Sequence, residues 1–383
     1  MHICTSIFKL RFILLLTILL TIGIMPTTSI RADVPVVNAS SSIVTEPILT
    51  EVFDVSGSGE IAYVVSATST TSFANQNLLM LYNPSTLTEA STIYTSNSYI
   101  LDVDFSADGT YVAFLESTRY NSGITRPVSL NSEPTSTIRV MDVRNNKLIS
   151  SLQVKHMITE IDFAPDGRSI YFLQGELLKS PWLNQDKGLV GFDVYEWNQG
   201  AKLATRHSQL QSLMMNSLRL AADGRSYYLS DTNVSTQQPY GFNEQYKQQI
   251  SKFPLHSGSG SGAAVSFARR DELTEAVWNS DETKLYFTSW ESNDSNARLT
   301  KALYVYDEAA GKEKQLTHLD EHVTRPVSVG DQIYFMVGDY SAIIWGHNEL
   351  YAMPVGGGEP ERIDLPYANS HKNDENNLSM QDS

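Results

Sequence analysis

The chain has 383 residues, 41% of them hydrophobic and 19% charged, and its 43 Asp and Glu against 28 Lys and Arg give a formal net charge of −15. A surface of that sign repels phosphate backbones, which excludes nucleic acid as a partner and disfavours anionic membrane surfaces. The single cysteine, Cys4, excludes a disulfide framework within the chain.

The N-terminus reads as a leader. Lys9 and Arg11 form a basic stretch, Phe12–Met25 (FILLLTILLTIGIM) is apolar, and small residues follow Pro26 up to Ala32. This is the pattern of a secretory signal peptide over residues 1–32, and the 14 apolar residues fall short of the roughly 20 that span a bilayer as a helix. An uncleaved N-terminal anchor is the alternative. Cys4 lies upstream of the apolar run, where it cannot serve as a lipid-anchor cysteine. Cleavage near Ala32 removes three basic residues and no acid, so the mature chain carries −18 and has no cysteine for thiol catalysis or metal binding. The expected location is secreted or extracytoplasmic, with no membrane span in the mature chain.

After a lead-in over 33–46, one phrase recurs. FSADGTYVAF (Phe105–Phe114), FAPDGRSIYF (Phe163–Phe172) and LAADGRSYYL (Leu220–Leu229) place Asp-Gly at 108–109, 166–167 and 223–224. The same interval reaches Asp281-Glu282, where Glu replaces Gly, then Gly330-Asp331 forward and Ser58-Gly59 backward. Six positions spaced 49–58 residues apart mark a repeat architecture. Each unit reads as a first strand into the turn (ILDVDF, ITEIDF), a second out of it (YVAFLE, SIYFLQ), then a variable loop, a third strand (TIRVMDV, ALYVYD) and a fourth (NNKLISSL, AGKEKQLT). Large apolar residues alternate with period two, and Asp-Gly suits a turn that needs positive φ. Four antiparallel strands in six units predict an all-β fold, a six-bladed β-propeller over residues 47–368. The polar segment 369–383 reads as a disordered tail.

The segments DFSADGTYVAF, DFAPDGRSIYF and LYVYDEAAGKEKQLT resemble the WD40-like repeats of the TolB family's propeller domain, and also the propeller halves of prolyl oligopeptidases and dipeptidyl peptidase IV. The resemblance covers nearly the whole mature chain at the level of single blades, and implies the fold. The extra α/β domain of TolB and the hydrolase domain of the peptidases have no counterpart here, so the chain reads as a propeller alone.

A search for chemistry assigns no catalytic residue, no metal ligand and no cofactor. GDYSAIIWG (Gly338–Gly346) lacks the spacing of a nucleophile elbow, so Ser341 reads as a loop serine. His318 and His322, four apart in THLDEH, span a loop between blades. WESNDSNAR (Trp290–Arg298) lacks the glycine and terminal glutamate of a calcium loop, and HSGSGSGAA (His256–Ala264) lacks the lysine of a phosphate loop. The informative segments are the connections between second and third strands, at 117–137, 174–191, 231–249, 290–301 and 338–348. They carry Arg119, Tyr120, Arg126, Trp182, Tyr240, Phe242, Tyr246, Trp290, Arg298, Trp345 and His347. Arg and aromatic residues on long loops at one face of a propeller are what a recognition surface uses. The expected function is a non-enzymatic exported propeller, a monomer, binding a protein, peptide or cell-envelope ligand there. The alternative is a carbohydrate-active lyase or hydrolase with a polar site at the channel mouth, for which two or more of His207, His318, His322 and His347 would converge. A third reading is a regulator whose tail engages a partner.

Overall fold

The computed structural model describes residues 47–68, 75–86, 89–118, 134–179, 187–212, 215–231, 248–255, 265–270, 273–290, 300–338 and 348–366. All belong to one compact unit, Ile43–Ser383. The expected signal peptide, the lead-in up to residue 46 and the 369–383 tail lie outside them.

All 24 strands are antiparallel and fall into six sheets of four. Blade 1 holds β1 (Ile48–Val55), β2 (Ile61–Thr68), β3 (Asn75–Tyr82) and β4 (Ser91–Ser96). Blade 2 holds β5 (Tyr99–Phe105), β6 (Tyr111–Ser117), β7 (Ser136–Asp142) and β8 (Lys147–Val154). Blade 3 holds β9 (Met157–Phe163), β10 (Ser169–Lys179), β11 (Lys187–Asn198) and the two-residue β12 (Thr205–Arg206). Blade 4 holds β13 (Met215–Leu220), β14 (Ser226–Asp231), β15 (Gln248–Pro254) and β16 (Val265–Arg270). Blade 5 holds β17 (Thr274–Trp278), β18 (Lys284–Trp290), β19 (Lys301–Asp307) and β20 (Lys312–Gln315). Blade 6 holds β21 (His322–Val329), β22 (Gln332–Gly338), β23 (Glu349–Pro354) and β24 (Glu361–Ile363). The first strands of the six blades neighbour one another in a closed ring and line the central channel. The expected six-bladed propeller is what the chain forms.

The repeated turn does the local work its residues suggest. Gly109, Gly167 and Gly224 take φ of 67°, 64° and 62°, a region that glycine enters without steric cost. The Asp before each accepts backbone N–H groups just beyond the turn: Asp108 from Thr110, Asp166 from Arg168 and Ser169, Asp223 from Arg225. In blade 5 Glu282 occupies the same left-handed position, at φ 55°. Its carboxylate accepts bonds from Ala222 N (2.8 Å), Tyr228 Oη (2.7 Å) and Lys252 Nζ (3.0 Å), all in blade 4. The departure from Asp-Gly thus ties two blades together.

The alternation of the second strands becomes the packing between blades. Tyr63, Phe114, Phe172, Phe287 and Phe335 are fully buried. In blades 3, 5 and 6 the buried Phe stacks on a Tyr directly across the sheet: Phe172 on Tyr195, Phe287 on Tyr304 and Phe335 on Tyr351, with ring centroids 5.6, 5.6 and 6.2 Å apart. One expected loop differs. The 174–191 connection is largely a strand extension, because β10 and β11 stay paired out to Lys179 opposite Lys187. The sequence of this stretch, QGELLK and KGLVG, mixes glycines, charges and paired apolar residues, so no period-two alternation marked it as strand.

Among the described residues every sheet is built from four consecutive strands, with no strand exchanged between blades. The seam between blades 1 and 6 is held by side chains. Asn348 Nδ2 donates to Leu49 O (3.0 Å), Tyr63 Oη donates to Pro366 O (2.7 Å), and Leu49, Phe53 and Met80 pack with Met336, Leu350 and Leu365. Each of Tyr63→Phe and Asn348→Ala removes one partly buried hydrogen bond and is expected to lower unfolding free energy by about 1 kcal/mol. Glu282→Gly suits the turn's φ but loses three charge-assisted bonds, so it is expected to destabilise by about 1–2 kcal/mol. Urea melts read both, and a Glu282→Gly variant as stable as the parent would show the tie to be idle.

Candidate functional site at the channel mouth

The first strand of each blade is a sheet edge, and half of its N–H groups point into the channel with no strand to pair them. The sequence answers with acids. Asp54 Oδ2 accepts Phe105 N (2.7 Å), Asp104 Oδ2 accepts Phe163 N (2.6 Å) and Asp162 Oδ2 accepts Leu220 N (2.5 Å). Each bond runs from one blade to the next. A second tier sits closer to the face where the first strands begin. There Asp102 accepts Ile161 N (2.9 Å), Glu160 accepts Leu218 N (2.8 Å), Ser217 Oγ accepts Ala276 N (2.8 Å) and Glu275 accepts Arg325 N (2.6 Å). Arg325 then reaches across from blade 6 to blade 2, giving Nη1 to Asp102 Oδ1 (2.7 Å) and Nη2 to Leu101 O (2.9 Å).

All six channel strands bulge in this second tier. Register shifts fall at Leu49/Phe53, Ile100/Asp102, between Ile158 and Glu160, Asn216/Arg219, Thr274/Ala276 and Thr324/Val327. Ser217, Glu275 and Arg325 hold φ of 58°, 58° and 50°, unusual for side chains of their size. A bulge re-aims the side chain of its extra residue, and left-handed non-glycine residues concentrate where structure over-determines them. The channel mouth at this end is therefore built with polar groups turned inward.

The channel's charges are crowded. Glu51, Asp54, Asp104, Glu160 and Glu275 are half-buried and Asp102 and Asp162 buried, with only Arg219 and Arg325 against them on these strands. Burial raises the carboxyls of Glu51, Asp54, Glu160 and Asp162 to about 7, with the Arg charges pulling the other way. Asp104 is also pushed up, by burial and then by Asp162 and Asp54. Burial works against the charged forms of Arg219 and Arg325. The field of Asp162 and its neighbours on Arg219, and of Asp102, Glu51 and Glu275 on Arg325, outweighs it and holds both guanidinium groups above their ordinary value.

Of the predicted face residues, Trp290 falls within the described set. It closes β18 half-buried, its ring edge-on to His322 (5.4 Å, 90°) and under Lys301 Nζ (5.4 Å). Lys301 N donates to His322 Nδ1 (3.2 Å), and the Lys301 charge acts on Glu51, which ties this corner to the channel mouth. Arg119, Tyr120, Arg126, Trp182, Tyr240, Phe242, Tyr246, Arg298, Trp345 and His347 lie outside the described residues, as do Ser341, 256–264 and 291–298. The described histidines take separate partners. His207 Nε2 meets Glu196 Oε2 (2.6 Å) in blade 3, His318 Nδ1 meets Gln315 Nε2 (3.1 Å), and His322 packs on Trp290. Sequence reading passed over the acid ring, although it left a signal. Asp54, Asp104 and Asp162 each stand four residues before the first turn residue, Asp102, Glu160, Ser217 and Glu275 six before it, and Arg325 five before it.

No family model matches the sequence, and no curated protein matches it. Among solved structures the chain is similar to TolB from Acinetobacter baumannii at 13% identity and TM-score 0.44, covering 82% of this chain and 65% of that one. It is similar to the β-propeller domain of the Trilobed protease from Pyrococcus furiosus at 12% and 0.47, covering 86% and 99%. An oligogalacturonate lyase in complex with manganese aligns at 11% and 0.49, covering 80% and 90%. The chain spans 65% of the length of that TolB and 42% of a prolyl endopeptidase with which it also aligns.

The raised channel carboxyls carry a pH dependence of known sign. The folded chain holds protons at Glu51, Asp54, Glu160 and Asp162 that the unfolded chain releases near pH 4. Their contribution to stability is therefore fully present at low pH and is lost as pH rises through about 7. Thermal melts are expected to give a higher Tm at pH 5 than at pH 8.5. Glu160→Gln should flatten part of that slope, and an unchanged slope would show that the ring does not hold these protons.

Proposed function

We propose that the chain is an exported binding protein that takes a protein, peptide or cell-envelope ligand on the face where the channel strands begin. What carries this reading is convergence. The ends of the second strands and the starts of the third lie on this face in every blade, and so do the six bulges, the left-handed Ser217, Glu275 and Arg325, and the Trp290–His322–Lys301 corner. Long connections carrying Arg and aromatic residues, set on a rigid ring, are the usual build of a recognition surface. Export rests on the N-terminal basic and apolar stretches of the sequence. Among the described residues no helix is long and apolar enough to cross a membrane.

An enzyme acting at the channel mouth is the second reading, and Glu51 favours it. A carboxyl raised to about 7 by burial, beside Glu275 and Arg325, is poised to give or take a proton near neutral pH. The two readings part in one experiment. Immobilised full-length chain and a Trp290→Ala/Trp182→Ala/Arg126→Ala variant are exposed to the envelope and secreted fractions of the source organism. A stoichiometric partner kept by the parent and lost by the variant, with Tm unchanged, is expected. Turnover of a polysaccharide panel that Glu51→Gln abolishes would instead overturn the binding reading.

A further inference from the structure

A polar groove of about 340 Å³ lies between the outer strand of blade 1 and the outer half of blade 2, where the 117–137 connection leaves the sheet. Its floor is a built arrangement. Glu116, 7% exposed, accepts Ser96 Oγ (2.5 Å) at one carboxylate oxygen and Arg139 Nε at the other. The Arg139 guanidinium lies over the Tyr94 ring, 5.5 Å from its centroid, and Tyr94 is itself packed on Phe114 (4.7 Å). Arg139 is thus held by a carboxylate on one edge and an aromatic face beneath. Its side chain is 26% exposed against 8% for Glu116, so the charge presented to the groove is positive in an otherwise acidic chain.

The hydrogen-bond inventory sets the ligand. Both Glu116 oxygens accept bonds, from Ser96 and Arg139, and the acid also bonds the Tyr94 side chain, so its charge is committed to the floor of the groove. Arg139 gives Nε to Glu116 and also bonds the Tyr94 side chain; a guanidinium is a fork of five N–H donors, so these two bonds leave donors on its Nη groups for a ligand. Around it stand short hydroxyls and amides, Thr95, Thr118, Thr137 and Gln153 among them. A cation would meet the guanidinium charge, and a neutral ligand would leave the fork poorly matched. A carboxylate matches it with two parallel bonds. The volume suits one small polar molecule or the end of a chain.

We infer that this groove binds a carboxylate group of a small polar ligand, with Arg139 as the recognition residue and Glu116 and Tyr94 as its positioning residues. The site stands apart from the channel mouth and does not depend on the ligand proposed for it. Two matched pairs of probes test it by calorimetry on the full chain: glucuronate against glucose, and trialanine with a free C-terminus against its amide. The acid of at least one pair is expected to bind at least 10-fold tighter than its neutral partner, and which pair responds distinguishes a sugar acid from a peptide terminus. Arg139→Lys keeps the charge beside Glu116 but loses the fork, and should weaken the acid about 10-fold or more with Tm unchanged. Equal binding within both pairs, no binding of either acid, or an Arg139→Lys variant that binds the acid as tightly as the parent would each overturn the assignment. Should Arg139→Lys lower Tm, the comparison of acid with neutral probe on the parent chain decides alone.

Discussion

Six sheets that converge on one axis bring six open edges together. That constraint organises the molecule. Each edge strand presents N–H groups to the channel that cost free energy if buried without a partner. Packing of apolar faces cannot satisfy them. Here the preceding blade does so, with Asp54, Asp104 and Asp162 in one tier and Asp102, Glu160, Ser217 and Glu275 in the other. Buried apolar faces pack blade against blade, and the channel acids bond the first strand of one blade to that of the next. The same acids account for the crowding of negative charge at the centre, so the electrostatics of the channel follow from the closure of its edges.

That solution is not electrostatically neutral, and the mouth shows it. Arg219 and Arg325 answer seven carboxyls, and protons held at raised carboxyls take up part of the difference. Arg325 spans from blade 6 to blade 2 and is the one described side chain of these strands that braces the ring across the channel instead of around it. Strained backbone at Ser217, Glu275 and Arg325 is confined to the second tier, on the face with the longest connections. A structural need and a surface of irregular polar groups therefore coincide there. At the periphery the Glu116–Arg139 pair shows the reverse economy, an ion pair that keeps guanidinium donors in reserve for the groove.

How much of this was legible depended on whether the cause was local. The turn Asp and Gly act within four residues, so FSADGT and FAPDGR announce themselves, and their interval sets the blade number. Alternation in SIYFLQ and KLYFTS reports burial on a sheet face, which is also local. The acids in ILDVDF and ITEIDF looked like the polar half of that alternation. Their partners are backbone amides 51–59 residues away, and nothing in a single strand shows an amide left unpaired. Glu282 looked like a lapse in the turn motif for the same reason, since Tyr228 and Lys252 belong to the preceding blade. The extended hairpin of blade 3 was missed because QGELLK and KGLVG set apolar residues side by side between glycines and charges, which breaks the period of two.

That the described strands of each sheet are consecutive in the chain has an architectural consequence. Each blade is one uninterrupted gene segment, so a blade can be duplicated or replaced without re-pairing any other sheet. The described residues form a clasped bracelet whose links are continuous chain except at the seam between blades 6 and 1, where Tyr63–Pro366, Asn348–Leu49 and the apolar cluster around them make the clasp. Tension between its ends would part that clasp before any sheet is peeled, and new termini cut between two other blades would turn the clasp into an ordinary link.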